Sequence, residues 1–505
     1  MQSPTRREFL VSATAGGLGG LSFLSQLPTV SATEAKLHTK IVMLRPEMEP
    51  IVRLIEKTPR GQLLELVADR IRKGLSYREL LAALLLAGVR NVQPRPSVGF
   101  KFHAVLVVNS AHLASISSPD TDRWLPIFWA LDAFKSSQAR DVQEGNWTMA
   151  PVKESAVPPG HKAHDAFTQA MNRWDVEAAD AAITGLARGA GANRIFELFA
   201  HYGPRDFRSI GHKAIFVANS WRTLQVIGWQ HAEPVLRSLA YALLNHRGEP
   251  NPGDNNLGPD KPWRRNLELV KKIRTGWQQG KPSREATLDM LDTLRAGSDE
   301  DACNQVVELL NRGVSPQAVY DGLQLGAGEL LMRQPGIVAL HAVTSTNALR
   351  YIFRTAANDE TRRMVLLQNA AFLPLFREAM KGRGKVGNSR IDQMEPAKVK
   401  EDKSDAVNAV FGAINRDRAE AARQMLGCLD AGIPSKNLID TARRLIFIKG
   451  TNSHDYKFSS AVLEDYHHLS PEWRNRFLAA SVFNLRGSGG RDNPLVKRTR
   501  EAFKA

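Results

Sequence analysis

Four of the 13 histidines in the chain lie in similar sequence surroundings, each where an apolar helix is predicted to begin. Neutral imidazole nitrogen is a ligand suited to iron, zinc, copper and nickel. If the four helix starts converge in the fold, the imidazoles form a metal site from residues far apart in sequence. The alternative is that they only pack, because duplication of a segment also copies its histidine. The segments are "FHAVLVVNSAHLASI", "GHKAIFVANSWRTLQV", "LHAVTSTNALRYIF" and "SHDYKFSSAVLEDY", with His103, His212, His341 and His454.

Metal-binding histidines need a hydrogen-bond acceptor that fixes the tautomer of the ring. Four polar side chains lie close enough in sequence to the histidines for this role. We therefore predict that these side chains orient the imidazoles from behind. They are Asn109, Asn219, Asn347 and Asp455.

Only the fourth segment carries lysines beside its histidine. Lys449 precedes His454 by five residues, and a cation there is favourable at a helix C-terminus. The alternative is that Lys449, carboxylated by CO2, supplies an oxygen ligand to the metal. Lys457, one helical turn after His454, is predicted to face solvent or to bind an anionic substrate.

The elements that must position these residues form an internal repeat. In four places an apolar helix ends at a glycine, a short turn follows, and a second apolar helix begins. Glycine suits the left-handed position after a helix end, and Ser or Pro suits the next helix start. The glycines are Gly74, Gly189, Gly313 and Gly432, and the histidines follow them by 29, 23, 28 and 22 residues.

A third helix and a fourth complete each copy, and strand signals are almost absent. The pattern predicts an all-α protein with four repeats of a four-helix unit, forming an α-solenoid or a closed α-toroid. We favour the closed toroid because no copy carries an obvious polar cap. The predicted organisation is a signal peptide at 1–32, a linker at 33–45, repeats at 46–140, 166–250, 284–381 and 404–487, linkers at 141–165, 251–283 and 382–403, and a C-terminal tail at 488–505.

The N-terminus resembles a twin-arginine export signal. Arg6 and Arg7 precede a glycine-rich apolar stretch, which ends in a small-residue site after Pro28. A membrane anchor or a basic tail is the alternative, but the apolar stretch is too weak to favour the bilayer. We expect export to the periplasm by the twin-arginine machinery, with no membrane span in the mature protein.

Composition excludes several classes of site. The 505 residues carry a formal net charge of +16, but basic and acidic residues are mixed and no nucleic-acid recognition motif accompanies them. The two cysteines, Cys303 and Cys428, cannot build a disulfide framework, a four-cysteine zinc site or a haem attachment motif. No nucleotide-binding motif or catalytic acid–base pair stands out. A second histidine cluster, His161 and His164 with Asp165, lies in a predicted linker.

The layout, with "GHKAIFVANSWRTL" at 211–224 and "LHAVTSTNALR" at 340–350, resembles the questin oxidase-like family. The resemblance implies an all-helical oxygenase that acts on aromatic polyketides. It further implies non-haem Fe(II) held by the four histidines, with Lys449 as a carboxylated lysine. Members of that family are typically intracellular, whereas this chain carries an export signal.

Together these observations predict an exported, histidine-ligated metalloenzyme, a non-haem iron oxygenase with a small organic substrate inside a helical ring. Two alternatives stay open. One is a non-catalytic helical scaffold that binds a component of the cell envelope. The other is a glycan-active α-toroid enzyme.

Overall fold

A computed structural model describes residues 40–94, 101–244, 250–251, 254–399 and 403–504 of the chain. Throughout these residues the fold is built from helices, and the sole β-pairing is an isolated bridge between Lys281 and Val314. The all-α prediction is therefore confirmed. The predicted twin-arginine signal, with Arg6 and Arg7, lies outside the described residues. None of the described helices is long and apolar enough to cross a membrane.

The α-helices all belong to one compact unit, Val42–Ala505. They are α1 Glu49–Lys57, α2 Arg60–Arg72, α3 Tyr77–Asn91, α4 His103–Leu106, α5 Val108–Ile116, α6 Leu125–Gln143, α7 Gly160–Arg173, α8 Val176–Gly189, α9 Ala192–Tyr202, α10 His212–Ile227, α11 Ala232–Leu244, α12 Lys261–Leu269, α13 Arg284–Ala296, α14 Asp299–Asn311, α15 Pro316–Arg333, α16 Ile337–Thr355, α17 Asp359–Lys381, α18 Lys403–Ala413, α19 Arg418–Asp430, α20 Ser435–Lys449, α21 Ser453–Asp465, α22 Pro471–Ser481 and α23 Pro494–Ala502. Short 3-10 helices span Glu154–Ala156, Trp229–His231, Gly258–Asp260, Val270–Lys272, Trp277–Gln279 and Ile391–Gln393.

Three of the four predicted glycine turns have the expected backbone. Gly74, Gly313 and Gly432 adopt φ of 101°, 87° and 79°, the left-handed region where a Cβ is strained. Gly189 differs, because it is the last residue of α8 and the cap residue Ala190 is extended, with φ of −112°. That turn continues in an extended conformation, so it needs no left-handed residue.

Side-chain caps define where several helices start. Ser315 accepts from the backbone N–H of Ala318 at the start of α15, with Pro316 in the first turn. Ser76 makes a capping box with Glu79 at the start of α3, which satisfies backbone groups that the helix leaves unpaired. The turns that follow Gly74 and Gly313 are thus encoded locally, by glycine and then by a capping serine.

Four consecutive sets of helices share one packing contact: α2–α6, in which the short α4 precedes the third helix α5, α8–α11, α14–α17 and α19–α22. In each set the first helix packs against the fourth: α2 on α6, α8 on α11, α14 on α17 and α19 on α22. A further helix precedes each set, namely α1, α7, α13 and α18. Two segments predicted to be linker or tail also contain helices, α12 within 251–283 and α23 within 488–505. Both are amphipathic and bury apolar residues, for example Trp263 and Val496.

The third helices of the four sets contact one another in a cycle. The α5 helix packs on α10, α10 on α16, α16 on α21, and α21 on α5. Because each has neighbours on several sides, even its polar residues are buried, as in the run Thr344–Asn347 of α16. Three of the histidines lie in the N-terminal parts of α10, α16 and α21, and His103 begins α4, which directly precedes α5 and contacts α10.

Candidate metal centre

The four predicted histidines, which lie near the N-terminal ends of α4, α10, α16 and α21, come together in the fold. The ring centroids of His103 and His212 are 5.1 Å apart, and those of His212 and His341 are 4.4 Å apart. His454 closes the cycle, 5.2 Å from His341 and 4.5 Å from His103. His103 and His212 begin their helices, and His454 is the second residue of α21. His341 lies one turn inside α16, so the prediction that every histidine opens its helix holds only approximately.

The nitrogen atoms have separations that a single metal ion could span. Nε2 of His212 lies 3.0 Å from Nε2 of His341 and 3.4 Å from Nε2 of His103. One nitrogen from each of these three histidines lies within 4.8 Å of the other two. Metal–nitrogen bonds are about 2.0–2.1 Å, so neighbouring nitrogens around one ion lie about 3 Å apart. His103, His212 and His341 therefore have the geometry of a three-nitrogen site, beside which the fourth ring stands.

Backbone carbonyls orient two of the rings. Nδ1 of His212 lies 2.7 Å from the carbonyl oxygen of Ser209, and Nδ1 of His341 lies 2.6 Å from that of Ile337. A carbonyl only accepts, so each Nδ1 carries the proton and each Nε2 presents its lone pair to the other. This is the tautomer that a metal ligand requires.

The four predicted orienting side chains have other partners or positions. Asn219 donates to the carbonyl of Leu106, and Asn347 donates to the carboxylates of Glu464 and Asp465. Asp455 caps α21 and pairs with Arg486, while Asn109 is buried on α5 and lines a cavity. Main-chain oxygens close to each ring in sequence orient His212 and His341 instead, and residue-type patterns do not reveal such contacts.

The surroundings keep the imidazoles neutral. Burial, reinforced by the nearby Lys457 amine, lowers the pKa of His103, His212 and His341 well below the usual value. The same two causes lower the pKa of His454 to about 3. Four neutral rings with buried nitrogens can accept a cation at neutral pH without first losing protons.

The two lysines of the fourth segment lie in different surroundings, and Lys449 is the last residue of α20, as the helix C-terminus alternative predicts. Lys449 turns away from the histidines, since its Nζ donates to the carbonyl of Gly490 and pairs with Asp492 at 2.7 Å. Lys457 is buried, with 2% exposure, and so does not face solvent. Its position one turn after His454 places it on the same face of α21 as that histidine.

Lys457 is an unusual buried lysine. Its Nζ has no hydrogen-bond partner among the described residues. Burial lowers the pKa of Lys457 to about 7, and its charge acts on all four histidines. An amine with these properties is partly neutral near pH 7 and is therefore nucleophilic.

Other candidate ligands lie apart from this centre. His164 and Asp165 pair at 3.2 Å near the exposed start of α7, and His161 is exposed. Within the described residues, only His103, His212 and His341 bring three ligand atoms together. Cys303 and Cys428 are buried free thiols.

Comparison of the chain with family models, with curated proteins and with solved structures finds no match.

Proposed function

We propose that this chain is a histidine-ligated metalloenzyme whose metal lies at the centre of four helical repeats closed into an α-toroid. The observation that carries the proposal is the convergence of His103, His212, His341 and His454 from four separate helices. The cyclic contacts of α5, α10, α16 and α21 favour closure over an open solenoid. The packing of α23 against α2 and α6, which joins the C-terminus to the first repeat, favours it as well.

Lys457, rather than Lys449, is the lysine of this centre. A bare ammonium beside a divalent cation would be repelled, and Lys457 has no carboxylate partner among the described residues that would offset its charge. Attack of the neutral amine on CO2 forms a carbamate and releases one proton. The carbamate oxygen would then bring a negative charge and an oxygen ligand to a site otherwise made of neutral nitrogen. The unpartnered Nζ supports this assignment.

A site of imidazoles and one carboxylate-like oxygen suits Fe(II), and bound iron would supply the activation of dioxygen. The protein itself orients the imidazoles and keeps water out of the site. The carbonyls of Ser209 and Ile337 hold two imidazoles in place, and the buried helices keep bulk water away from reactive species. We therefore propose an oxygenase acting on an organic substrate, in keeping with the resemblance to the questin oxidase-like family.

The twin-arginine pattern at 1–32 supports a periplasmic location. That export route carries folded proteins, which suits an enzyme whose metal is inserted before export.

The test is metal analysis of the mature protein by elemental mass spectrometry, alongside a His341→Ala/His454→Ala variant. We expect about one iron or other transition metal per chain, lost in the variant, and oxygen consumption that depends on the metal. No bound metal after folding with iron, zinc, copper and manganese would overturn the proposal. The protein would then be read as a binding scaffold with packing histidines.

A further inference from the structure

The central helices carry a second pattern beyond their histidines. Ten residues after each histidine comes another set of four positions, about 15 Å along one continuous helix in α10, α16 and α21 and across the step from α4 to α5 in the first case. These are Leu113, Arg222, Tyr351 and Glu464. Arg222 and Glu464 form a close ion pair, Nη2 to Oε2 at 2.7 Å, although they lie 242 residues apart. The guanidinium of Arg222 also lies 4.2 Å from the centre of the Tyr351 ring. These residues form a layer across the bundle, which we call the outer layer.

A small cavity of about 10 Å³ is lined by residues that lie, along their helices, between the four histidines and the outer layer. Its inner wall includes Lys457 and Thr344, each three residues after a histidine. Its middle consists of the residues seven positions after each histidine, which are all small or polar: Ser110, Asn219, Ala348 and Ala461. Leu113, Arg222 and Glu464 line its outer end. Small side chains at the middle positions leave a gap on the bundle axis, about the size of one water molecule.

The outer layer faces a larger groove. Leu113, Arg222, Tyr351 and Glu464 line a cavity of about 540 Å³, which we call the access groove. Arg222 and Glu464 also border a neighbouring cavity of about 300 Å³. The Arg222–Glu464 pair thus borders both surface cavities and the small axial cavity. A volume of this size is typical of sites for small organic ligands.

The charge of the access groove is uneven. Among the described residues that line it, Glu464 is the only carboxylate, and Arg222 already pairs with it. Arg443 has Asp440 as its ion-pair partner, at 3.9 Å, and its side chain is 29% exposed. His112, His467 and His468 add further nitrogen donors. Leu113, Val226, Leu463 and Phe447 give the same groove an apolar wall.

We propose that the access groove binds the substrate of the metal centre, that this substrate is an organic anion with an apolar body, and that Arg443 holds its anionic group. The description of this ligand as the substrate depends on the proposed function. The binding site itself does not, because it is built from residues outside the histidine cluster. Bound in this way, a molecule would point its far end at the Arg222–Glu464 pair, and Lys457 lines the small cavity on the inner side of that pair.

The experiment measures binding of 4-phenylbutyrate and of its uncharged analogue 4-phenylbutyramide to the full chain by titration calorimetry. The proteins are wild type, Arg443→Gln, and Leu113→Trp, which enlarges a side chain that lines both the access groove and the small axial cavity. Arg416→Gln, at an exposed arginine, and Leu267→Trp, at an exposed leucine, are the matched controls. Circular dichroism and metal content are recorded for every preparation.

We expect the acid to bind wild type about tenfold more tightly than the amide, a difference of about 1.4 kcal/mol, because a carboxylate makes a stronger hydrogen bond to a guanidinium than a neutral amide does. Arg443→Gln should remove that preference, and Leu113→Trp should weaken binding of both compounds at unchanged metal content. The controls should match wild type. Equal affinity for acid and amide, no effect of Arg443→Gln, or no binding of the acid at millimolar concentration would each overturn the inference.

The metal measurement separates this outcome from the proposed function. If metal is present but the acid binds no more tightly than the amide, only the proposal of an anion site in the access groove is overturned. Acid-selective binding that is lost in Arg443→Gln, in protein that holds no metal after folding with iron, zinc, copper and manganese, supports the groove as an anion site and overturns the enzyme proposal. If Leu113→Trp does not fold, the Arg443→Gln comparison still decides the question.

Discussion

Nε2 of His212 lies 3.0 Å from Nε2 of His341, although 129 residues separate the two histidines. Both rings donate their Nδ1 protons to backbone carbonyls, so two lone pairs face each other. Without a cation between them this contact is unfavourable, because neither nitrogen can donate to the other in that tautomer. A metal ion removes the repulsion and turns the pair into two ligands.

Added metal should therefore stabilise the folded protein. With free metal at about 100 times its Kd, we expect the free energy of unfolding to rise by about 2.7 kcal/mol. The measurement is thermal unfolding of chelator-treated protein with and without Fe(II), Zn(II) or Mn(II). His212→Ala should abolish the metal-dependent rise, whereas His164→Ala, at the edge of α7, should keep it. A rise of equal size in both variants would place the metal elsewhere.

Replacing Lys457 by Met should have two opposite effects. It removes a buried amine that has no partner among the described residues, so the metal-free protein should gain about 1–3 kcal/mol in free energy of unfolding. If the carbamate is a ligand, the same change should lower metal affinity. Urea unfolding and metal titration measure the two effects, and native mass spectrometry should detect one added CO2 in wild type only.

Lys449→Met is the matched control for that experiment. Lys449 pairs with the exposed Asp492, so the loss of Lys449 should cost about 0–1 kcal/mol and leave metal content unchanged. Loss of metal in Lys449→Met with none in Lys457→Met would restore the role that the sequence predicts for Lys449.

Asp465 should make stability depend on pH. It is 1% exposed and its Oδ2 has no partner among the described residues, while Oδ1 accepts from Asn347. Burial, and next the charge of Glu464, raises the pKa of Asp465 to about 7. The ordinary value is 3.8, so between these values the folded state holds a proton that the unfolded state has lost. The free energy of unfolding therefore falls as pH rises from about 4 to 7, because ionising Asp465 costs more in the folded state than in the unfolded state.

Asp465→Asn should remove this dependence. The variant should match wild type near pH 4 and be more stable at pH 8, by at most about 4 kcal/mol. Urea unfolding at four pH values checks this, with the exposed Asp430→Asn as control. A constant difference between Asp465→Asn and wild type across the range would mean that Asp465 is ionised throughout.

Two glycines that look equivalent in sequence should respond differently to alanine. Gly432 has φ of 79° and open space where a Cβ would lie, so Gly432→Ala should cost about 1 kcal/mol through backbone strain alone. Gly189 ends α8 in a helical position with room for a methyl group, so Gly189→Ala should stabilise by about 0.5–1 kcal/mol. Chemical unfolding of both variants tests this, and equal destabilisation would contradict the difference in backbone.

The sequence by itself determined the features that depend on neighbouring residues. Helical periodicity predicts the all-α class, and glycine followed by serine or proline predicts the turns. Gly74, Gly313 and Gly432 follow that rule because a left-handed residue is a local backbone requirement. The repetition of His103, His212, His341 and His454 at equivalent places also made their convergence predictable, since equivalent positions in repeats meet near a common axis.

Tertiary structure decided which lysine is buried beside the histidines. Lys449 and Lys457 both lie within five residues of His454, and no local rule predicts which of the two is buried. The packing of α21 between α16 and α5 buries one face of that helix, and this face carries Lys457. The Arg222–Glu464 pair likewise joins residues 242 positions apart. Such contacts depend on how four helices pack against one another, which the sequence of any one helix does not contain.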